Sequence, residues 1–162
     1  MSEENPAQTT KSITVPVDWQ LHYDHSTGPV VARFLQSLAD GRIEGTRCPK
    51  CGIVYLPPRA YCERDFIHTT DWVEVGTEGT LEGFTIVTQK FATLPDPPYV
   101  IAFVRLDGAG TALVNFLRMS LDDTEEAASQ LKIGDTRVQV HFHESRERKI
   151  TDFHYELAGS GS

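Results

Sequence analysis

Apolar residues recur at two different spacings along this chain. From Val30 to Ala39 they fall three and four apart, at Val30, Val31, Phe34, Leu35 and Leu38, which predicts one amphipathic helix. Ser26-Thr27-Gly28-Pro29 starts it and Asp40-Gly41 stops it. Arg42 to Arg47 reads as a short strand, and Cys51-Gly52-Ile53-Val54-Tyr55 as a turn entering another. From Trp72 onward the spacing becomes two. Trp72–Val75 and Gly79–Thr88 alternate apolar and polar residues, with glycines where a strongly bent barrel strand needs them. Tyr99–Leu106 and Thr111–Met119 form a predicted hairpin across Asp107-Gly108-Ala109-Gly110. Leu121–Ala128 predicts a short acidic helix with Asp122 or Asp123 at its cap. Thr136–His143 and Ile150–Tyr155 complete about five strands, which, with one long curled strand and a late helix, fit a small Greek-key barrel of OB type.

The ends carry less pattern. Residues 1–12 are polar and predict a flexible tail. Ile13–Trp19 has strand-like composition broken by Pro16, so it reads as an arm or edge segment. Trp19, Leu21 and Tyr23 on that arm need a surface to cover them, either on a partner or on the chain's own core. His22 and His25 read as surface or hydrogen-bonding residues. His141, His143 and His154 alternate along strands, which predicts polar outward positions on the barrel rather than a second metal site. Ala158–Ser162 reads as a linker or tail.

Chemistry concentrates between Arg47 and Asp65. All three cysteines lie there, spaced C-x2-C-x10-C, and Cys48-Pro49-Lys50-Cys51-Gly52 has the form of a knuckle that brings two thiolates onto one tetrahedral metal. Cys62 begins a second knuckle, and Asp65 stands where its fourth ligand belongs. Carboxylate oxygen is a zinc ligand at about 2.0–2.2 Å and preserves the charge of a four-thiolate site. Cys48, Cys51, Cys62 and Asp65 are therefore the expected ligands of a structural Zn²⁺. Three other arrangements compete on residue type alone: three thiolates plus water with Asp65 behind them, His68 as fourth ligand, or a metal-free redox pair.

The totals narrow the classes. A chain of 162 residues holds one ordinary domain, or a small module on a body of about 90 residues. Its 40% hydrophobic and 23% charged residues are those of a soluble globular protein, with no apolar run near the roughly 20 residues that cross a bilayer. Cysteines committed to metal predict a reducing, cytoplasmic setting. The net charge of −8 argues against nonspecific nucleic-acid binding. Within residues 42–64, Arg42, Arg47, Lys50, Arg59 and Arg64 face only Glu44 and Glu63, a local +3 on a remainder of −11. That distribution suits a compact anion or an acidic partner surface.

From about Phe34 to Leu157 the chain resembles a known family, the acyl-CoA-associated proteins in which a rubredoxin-like zinc ribbon precedes an OB-fold, found beside thiolase-like enzymes. The resemblance rests on the helix leading to Gly41-Arg42-Ile43, on Arg47-Cys48-Pro49-Lys50-Cys51-Gly52, Pro57-Pro58-Arg59 and Cys62, and on Trp72–Val75, Gly79-Thr80-Leu81 and Asp96-Pro97-Pro98-Tyr99-Val100. Asp65 departs from the family's last cysteine. The implied fold is mainly β: an arm and tail over 1–29, helix plus zinc ribbon over 30–70, a five-stranded OB-fold barrel over 71–158 and a tail over 159–162.

The implied role is a non-catalytic subunit in a hetero-oligomer with a thiolase-like protein, supporting assembly and acyl-CoA binding while the partner supplies the reacting residues. No Ser-His-Asp or Cys-His arrangement stands out in the spacing. A CoA ligand needs cations for its phosphates and an apolar wall for its remainder. Arg47, Lys50, Arg59 and Arg64 are candidates for the first, and Tyr99, with Phe91 and Phe116, for the second. The loop from Phe91 to Tyr99, with Leu94, Pro97 and Pro98, is the candidate docking surface, against the alternative of a lid on the barrel end. Two rival functions remain from the residues themselves: a single-stranded nucleic-acid binder, disfavoured by the acidic barrel, and a zinc hydrolase using water near Asp65 or His68.

Overall fold

The computed structural model describes residues 13–19, 21 and 23–159. The predicted tail over 1–12, His22 and the last three residues lie outside them. Helix α1 (Gly28–Ala39) places Pro29 in its first turn, where a missing N–H costs nothing. Of the predicted apolar face it buries Phe34 and Leu38, leaves Val30 and Leu35 half-buried and Val31 exposed, and buries Ser37 besides, whose hydroxyl donates to the Phe34 carbonyl at 2.8 Å. The chain turns off the helix through the amides of Gly41 and Arg42, which donate to the Leu38 and Ser37 carbonyls.

Three short strands follow as one antiparallel sheet: β1 (Glu44–Arg47), β2 (Val54–Tyr55) and β3 (Asp71–Glu74), in the order β2-β1-β3. The alternation of Trp72–Val75 had placed that segment at the head of the barrel set. It pairs instead along β1, Thr46 opposite Trp72, with the Arg33 guanidinium of α1 over the Trp72 ring at 4.2 Å. Alternation identifies a half-buried strand but not its neighbour.

The remaining five strands close a barrel: β4 (Glu78–Val87), β5 (Tyr99–Leu106), β6 (Leu113–Arg118), β7 (Arg137–Phe142) and β8 (Phe153–Leu157). Their order is β4-β5-β6-β8-β7, with β7 returning to β4 and only β6 and β8 parallel. Helix α2 (Thr124–Gln130) joins the third barrel strand to the fourth, which makes this the OB-fold. β4 reaches both neighbours because it bends at a bulge between Leu81 and Gly83. α2 is capped by Asp123, whose carboxylate accepts from the Glu125 and Glu126 amides at 2.9 and 3.1 Å. The last predicted strand begins later than expected. Ile150–Asp152 form a single 3-10 turn because the buried Asp152 carboxylate gathers the Glu147 and Lys149 amides.

One core runs through the helix, the ribbon sheet and the barrel. Phe34, Leu38, Ile43, Val54 and Leu56 pack in the same cluster as Leu81, Val104, Leu113, Val138 and Tyr155. The β5–β6 turn fastens the ribbon to the barrel: the Gly110 amide donates to the Val54 carbonyl at 2.8 Å. The Thr111 hydroxyl takes the Leu56 N–H at 2.7 Å and returns a bond to the Leu56 carbonyl at 2.8 Å. Gly110 is required by this approach, since a Cβ there would lie 2.5 Å from Ile53.

The arm finds no cover on its own core. Ile13, Val15, Val17, Trp19, Leu21 and Tyr23, every second residue, are each 68–88% exposed. No described helix is long and apolar enough to cross a membrane.

Candidate functional site

Residues 48–53 and 62–67 make the same turn twice. In the first, the Cys48 amide donates to the Ile53 carbonyl and the Gly52 amide to the Cys48 carbonyl, at 2.9 and 3.0 Å. In the second, the Cys62 amide donates to the Ile67 carbonyl and the Phe66 amide to the Cys62 carbonyl, both at 2.9 Å. Gly52 and Phe66 hold the same left-handed backbone, at φ +76° and +54°. Asp65 therefore occupies the place in the second turn that Cys51 holds in the first.

The two turns face one another across four donor atoms, all within 4.8 Å of each other. Around a tetrahedral zinc, bonds of about 2.3 Å to sulfur and 2.0–2.2 Å to oxygen put sulfurs about 3.8 Å apart and sulfur and oxygen about 3.5 Å apart. The Cys51 and Cys62 sulfurs are 3.7 Å apart, and Asp65 Oδ2 lies 3.3 and 3.5 Å from the Cys48 and Cys62 sulfurs. The donor set fits a closed tetrahedral metal site. Lys50 Nζ sits 3.1 Å from Asp65 Oδ1, the other oxygen of the same carboxylate. The Cys51 thiol, then Lys50 and Cys48, hold the Asp65 carboxyl well below the usual carboxylate range, so it meets a cation already ionised. His68 is not part of the set: it is exposed and its ring lies against Tyr61 at 4.0 Å.

The amides of Lys50 and Cys51 point at the Cys48 sulfur at 3.4 and 3.5 Å, and the Tyr55 hydroxyl lies 3.3 Å from the Cys62 sulfur. Tyr55 is fully buried and accepts the Glu63 amide at 3.3 Å. Such outer hydrogen bonds orient sulfur ligands and temper their charge.

The candidate CoA residues do not share one cleft. Arg47 and Arg64 are exposed on the ribbon, Lys50 is engaged by Asp65, and Arg59 pairs with Glu63 at 2.5 Å while lying over the Tyr55 ring. Tyr99 belongs to a different place, a cavity of about 480 Å³ on the barrel lined both by outward residues such as Phe116 and by the core residues Val100, Leu117 and Phe153. That cavity lies under Thr93, Leu94 and Pro95 of the proline-rich loop, and none of the four ribbon cations lines it. Phe91, Leu94 and Pro98 are exposed and Pro97 is half-buried, so the loop presents apolar surface outward while roofing the cavity.

The three histidines take the expected outward positions, and one of them, His154, is nevertheless buried. His154 is 6% exposed and hydrogen-bonded on both sides, at 2.9 Å to His143 and 2.9 Å to Glu156, with His141 3.5 Å from the same carboxylate. Burial pushes the His154 pKa down against the upward pull of Glu156. In the neutral ring a carboxylate can only accept, so Nε2 carries the proton toward Glu156 and Nδ1 accepts from His143. Sequence alternation placed these residues on the outer wall correctly but carried no sign of the loop above them. Arg118, beside the cavity, was missed altogether, because a lone arginine at a strand end has no distinguishing pattern.

A twin-turn metal site on a three-stranded sheet, fused through one core to a five-stranded OB barrel, defines a zinc-ribbon-plus-OB protein class. Residues 35–69 match the family model described as ChsH2, rubredoxin-like zinc ribbon domain, and residues 72–143 match ChsH2, C-terminal OB-fold domain. The chain belongs to the ChsH2 family. Two solved structures share its fold. One, titled a protein of unknown function from the DUF35 family of Sulfolobus solfataricus, is 23% identical over 81% of this chain and 87% of that one, with a TM-score of 0.59. The other, titled Ltp2-ChsH2(DUF35) aldolase, is 22% identical over 78% of this chain and 93% of that one, with a TM-score of 0.61. No curated protein matches the chain in a sequence comparison.

Proposed function

We propose that this protein is a non-catalytic, structurally zinc-bound subunit of a thiolase-type acyl-CoA complex, in which the partner performs thiolytic cleavage, condensation or aldol cleavage. The observation that carries this reading is the presence of both ChsH2 domains in order, on a fold shared with a chain titled as part of an aldolase with Ltp2. Two features of the molecule support it. Its three cysteines converge on the tetrahedral site, which leaves no thiol among the described residues to act as nucleophile. The arm's six exposed apolar side chains and the outward face of the proline-rich loop offer surface for another protein to cover.

On this reading Phe91, Leu94, Pro97 and Pro98 dock on the partner, and Arg47, Lys50, Arg59 and Arg64 contribute to an acyl-CoA site completed by the partner, while Tyr99, in the separate barrel cavity, drops out of that set. The test is recovery of the tagged chain from its native source, identification of the stable partner, and assay of each protein alone and together. A thiolase-like protein at fixed stoichiometry, with acyl-CoA turnover that depends on both, is the expected result. A thiolase-like enzyme from the same source that runs at full rate and never associates with this chain would overturn it.

A further inference from the structure

The ribbon sheet ends in an open edge at β3. The Val75 amide donates to the Ile43 carbonyl at 2.9 Å, and the register carries on from there, pairing Gly45 with Val73 and Arg47 with Asp71. An antiparallel ladder bonds every second pair, so Asp71, Val73 and Val75 turn their backbone groups to β1 while Trp72 and Glu74 turn theirs away from it. No backbone group of a described residue bonds the outward N–H and C=O of Trp72 and Glu74. The opposite edge of the same sheet is closed, because the Gly110 amide donates to the Val54 carbonyl and the Thr111 hydroxyl bonds both backbone groups of Leu56. The barrel closes on itself. An open edge is a template for another strand.

The arm has the pattern of a strand and belongs to neither sheet. Its apolar residues fall at the odd positions from Ile13 to Tyr23, all exposed, and Pro16 falls between them at an even one. In an extended chain, odd and even residues turn their side chains to opposite faces and their backbone groups to opposite edges. Pro16 has no N–H, so the even side is the outer side of an edge strand and pairing runs through the odd residues. Laid antiparallel on β3, the odd residues stand directly opposite Trp72 and Glu74, whose backbone groups are the outward ones. Directly opposed residues share a face, so the arm's apolar row falls on the side of the sheet that carries the half-buried Trp72 ring. A parallel arrangement would put the even row there instead.

We propose that the arm of one copy adds, antiparallel, as a fourth strand to the β3 edge of a second copy, the two copies exchanging arms about a two-fold axis. Within one chain the arm's apolar side chains are uncovered, so the strand that lacks a sheet and the edge that lacks a strand meet between copies. Each copy gives one arm and receives one, which closes the assembly at two. The inference does not rest on the thiolase-type reading, and it leaves the proline-rich loop as the surface for that partner.

The experiment is sedimentation equilibrium of the purified, zinc-loaded full-length protein, without partner, over a range of concentrations. A reversible dimer is expected. Both tryptophans, Trp19 and Trp72, lie at the proposed junction, so their emission should shift to the blue as the dimer forms. Val15→Pro removes an N–H from the pairing side of the arm, and Glu74→Pro removes one from the outward side of β3 without touching the β1 ladder. Each should weaken the dimer about tenfold, since both junctions lose a hydrogen bond together. Thr14→Pro, on the arm's outer side, should leave the dissociation constant within about twofold. The arm lies outside the core, so Val15→Pro remains a test if Glu74→Pro does not fold. A dimer indifferent to both Val15→Pro and Glu74→Pro, or weakened as much by Thr14→Pro, would overturn the proposal. So would a monomer at every concentration, including one whose arm amides are protected from hydrogen exchange by its own β3. A monomer that associates only with a thiolase-like protein would overturn this inference and leave the proposed function standing, and a dimer with no such partner would do the reverse.

Discussion

The two halves of the metal site share a backbone and differ in what they hang on it. Cys48-Pro49-Lys50-Cys51-Gly52-Ile53 and Cys62-Glu63-Arg64-Asp65-Phe66-Ile67 close with the same pair of amide bonds, yet the second replaces a thiol by a carboxylate and a glycine by a phenylalanine. The two turns thus share one geometry while offering different donor atoms, sulfur from Cys51 and oxygen from Asp65. The replacements are not equivalent in energy. A left-handed phenylalanine is disfavoured by about 1–2 kcal/mol relative to a right-handed one, and Phe66, 85% exposed, recovers nothing by packing. A carboxylate in place of a thiol alters how many protons leave when the metal enters.

The largest test of the comparison removes a ligand from each half. Cys48→Ser or Cys62→Ser should abolish bound zinc, measured by plasma mass spectrometry, and melt the ribbon, because structural zinc in comparable modules contributes about 10–16 kcal/mol to folding. Retention of both metal and melting temperature would end the structural reading of the site. Next, Asp65→Cys should tighten zinc and steepen its pH dependence. An ordinary thiol titrates near pH 8.5 and a carboxyl near 3.9, so between pH 6 and 8 the variant must expel one more proton than the native site. Competition with a chelator across that range should show log affinity rising with pH by about one extra unit per pH unit at the acid end. Equal slopes would show that Asp65 does not ligate the metal.

A smaller effect is expected from Lys50→Met, which frees Asp65 Oδ1 and should weaken zinc by about tenfold, the low end for residues that orient a ligand. The smallest is Phe66→Gly. Relief of the left-handed backbone, partly offset by glycine's greater freedom when unfolded, should stabilise the protein by about 0.5 kcal/mol in urea denaturation of the metal-loaded form. Destabilisation instead would mean that the second turn depends on the ring.

The ribbon was legible in the sequence because local spacing decides it. Two residues between Cys48 and Cys51, and two between Cys62 and Asp65, leave the turn little choice once the metal is assumed. The barrel was legible because its five strands alternate and Asp123 caps the helix among them. What stayed hidden depends on contacts between distant residues. Trp72 pairs with β1, and the buried His154 is hydrogen-bonded to His143, just past the end of β7, and to Glu156, two residues along its own strand. The unpartnered hydroxyl of Tyr99 likewise shows only once the strands have closed around it.

The hydroxyl of Thr111, bonded to both backbone groups of Leu56, crosses the boundary at which one would cut the chain in two. Excising the barrel at residue 70 would strip Leu56 from its wall and leave the β5–β6 turn without its anchor. The intact protein should accordingly denature in a single cooperative step. Chelation at one end should raise amide hydrogen exchange in the turn at the other, so that the metal reports on a barrel it never touches.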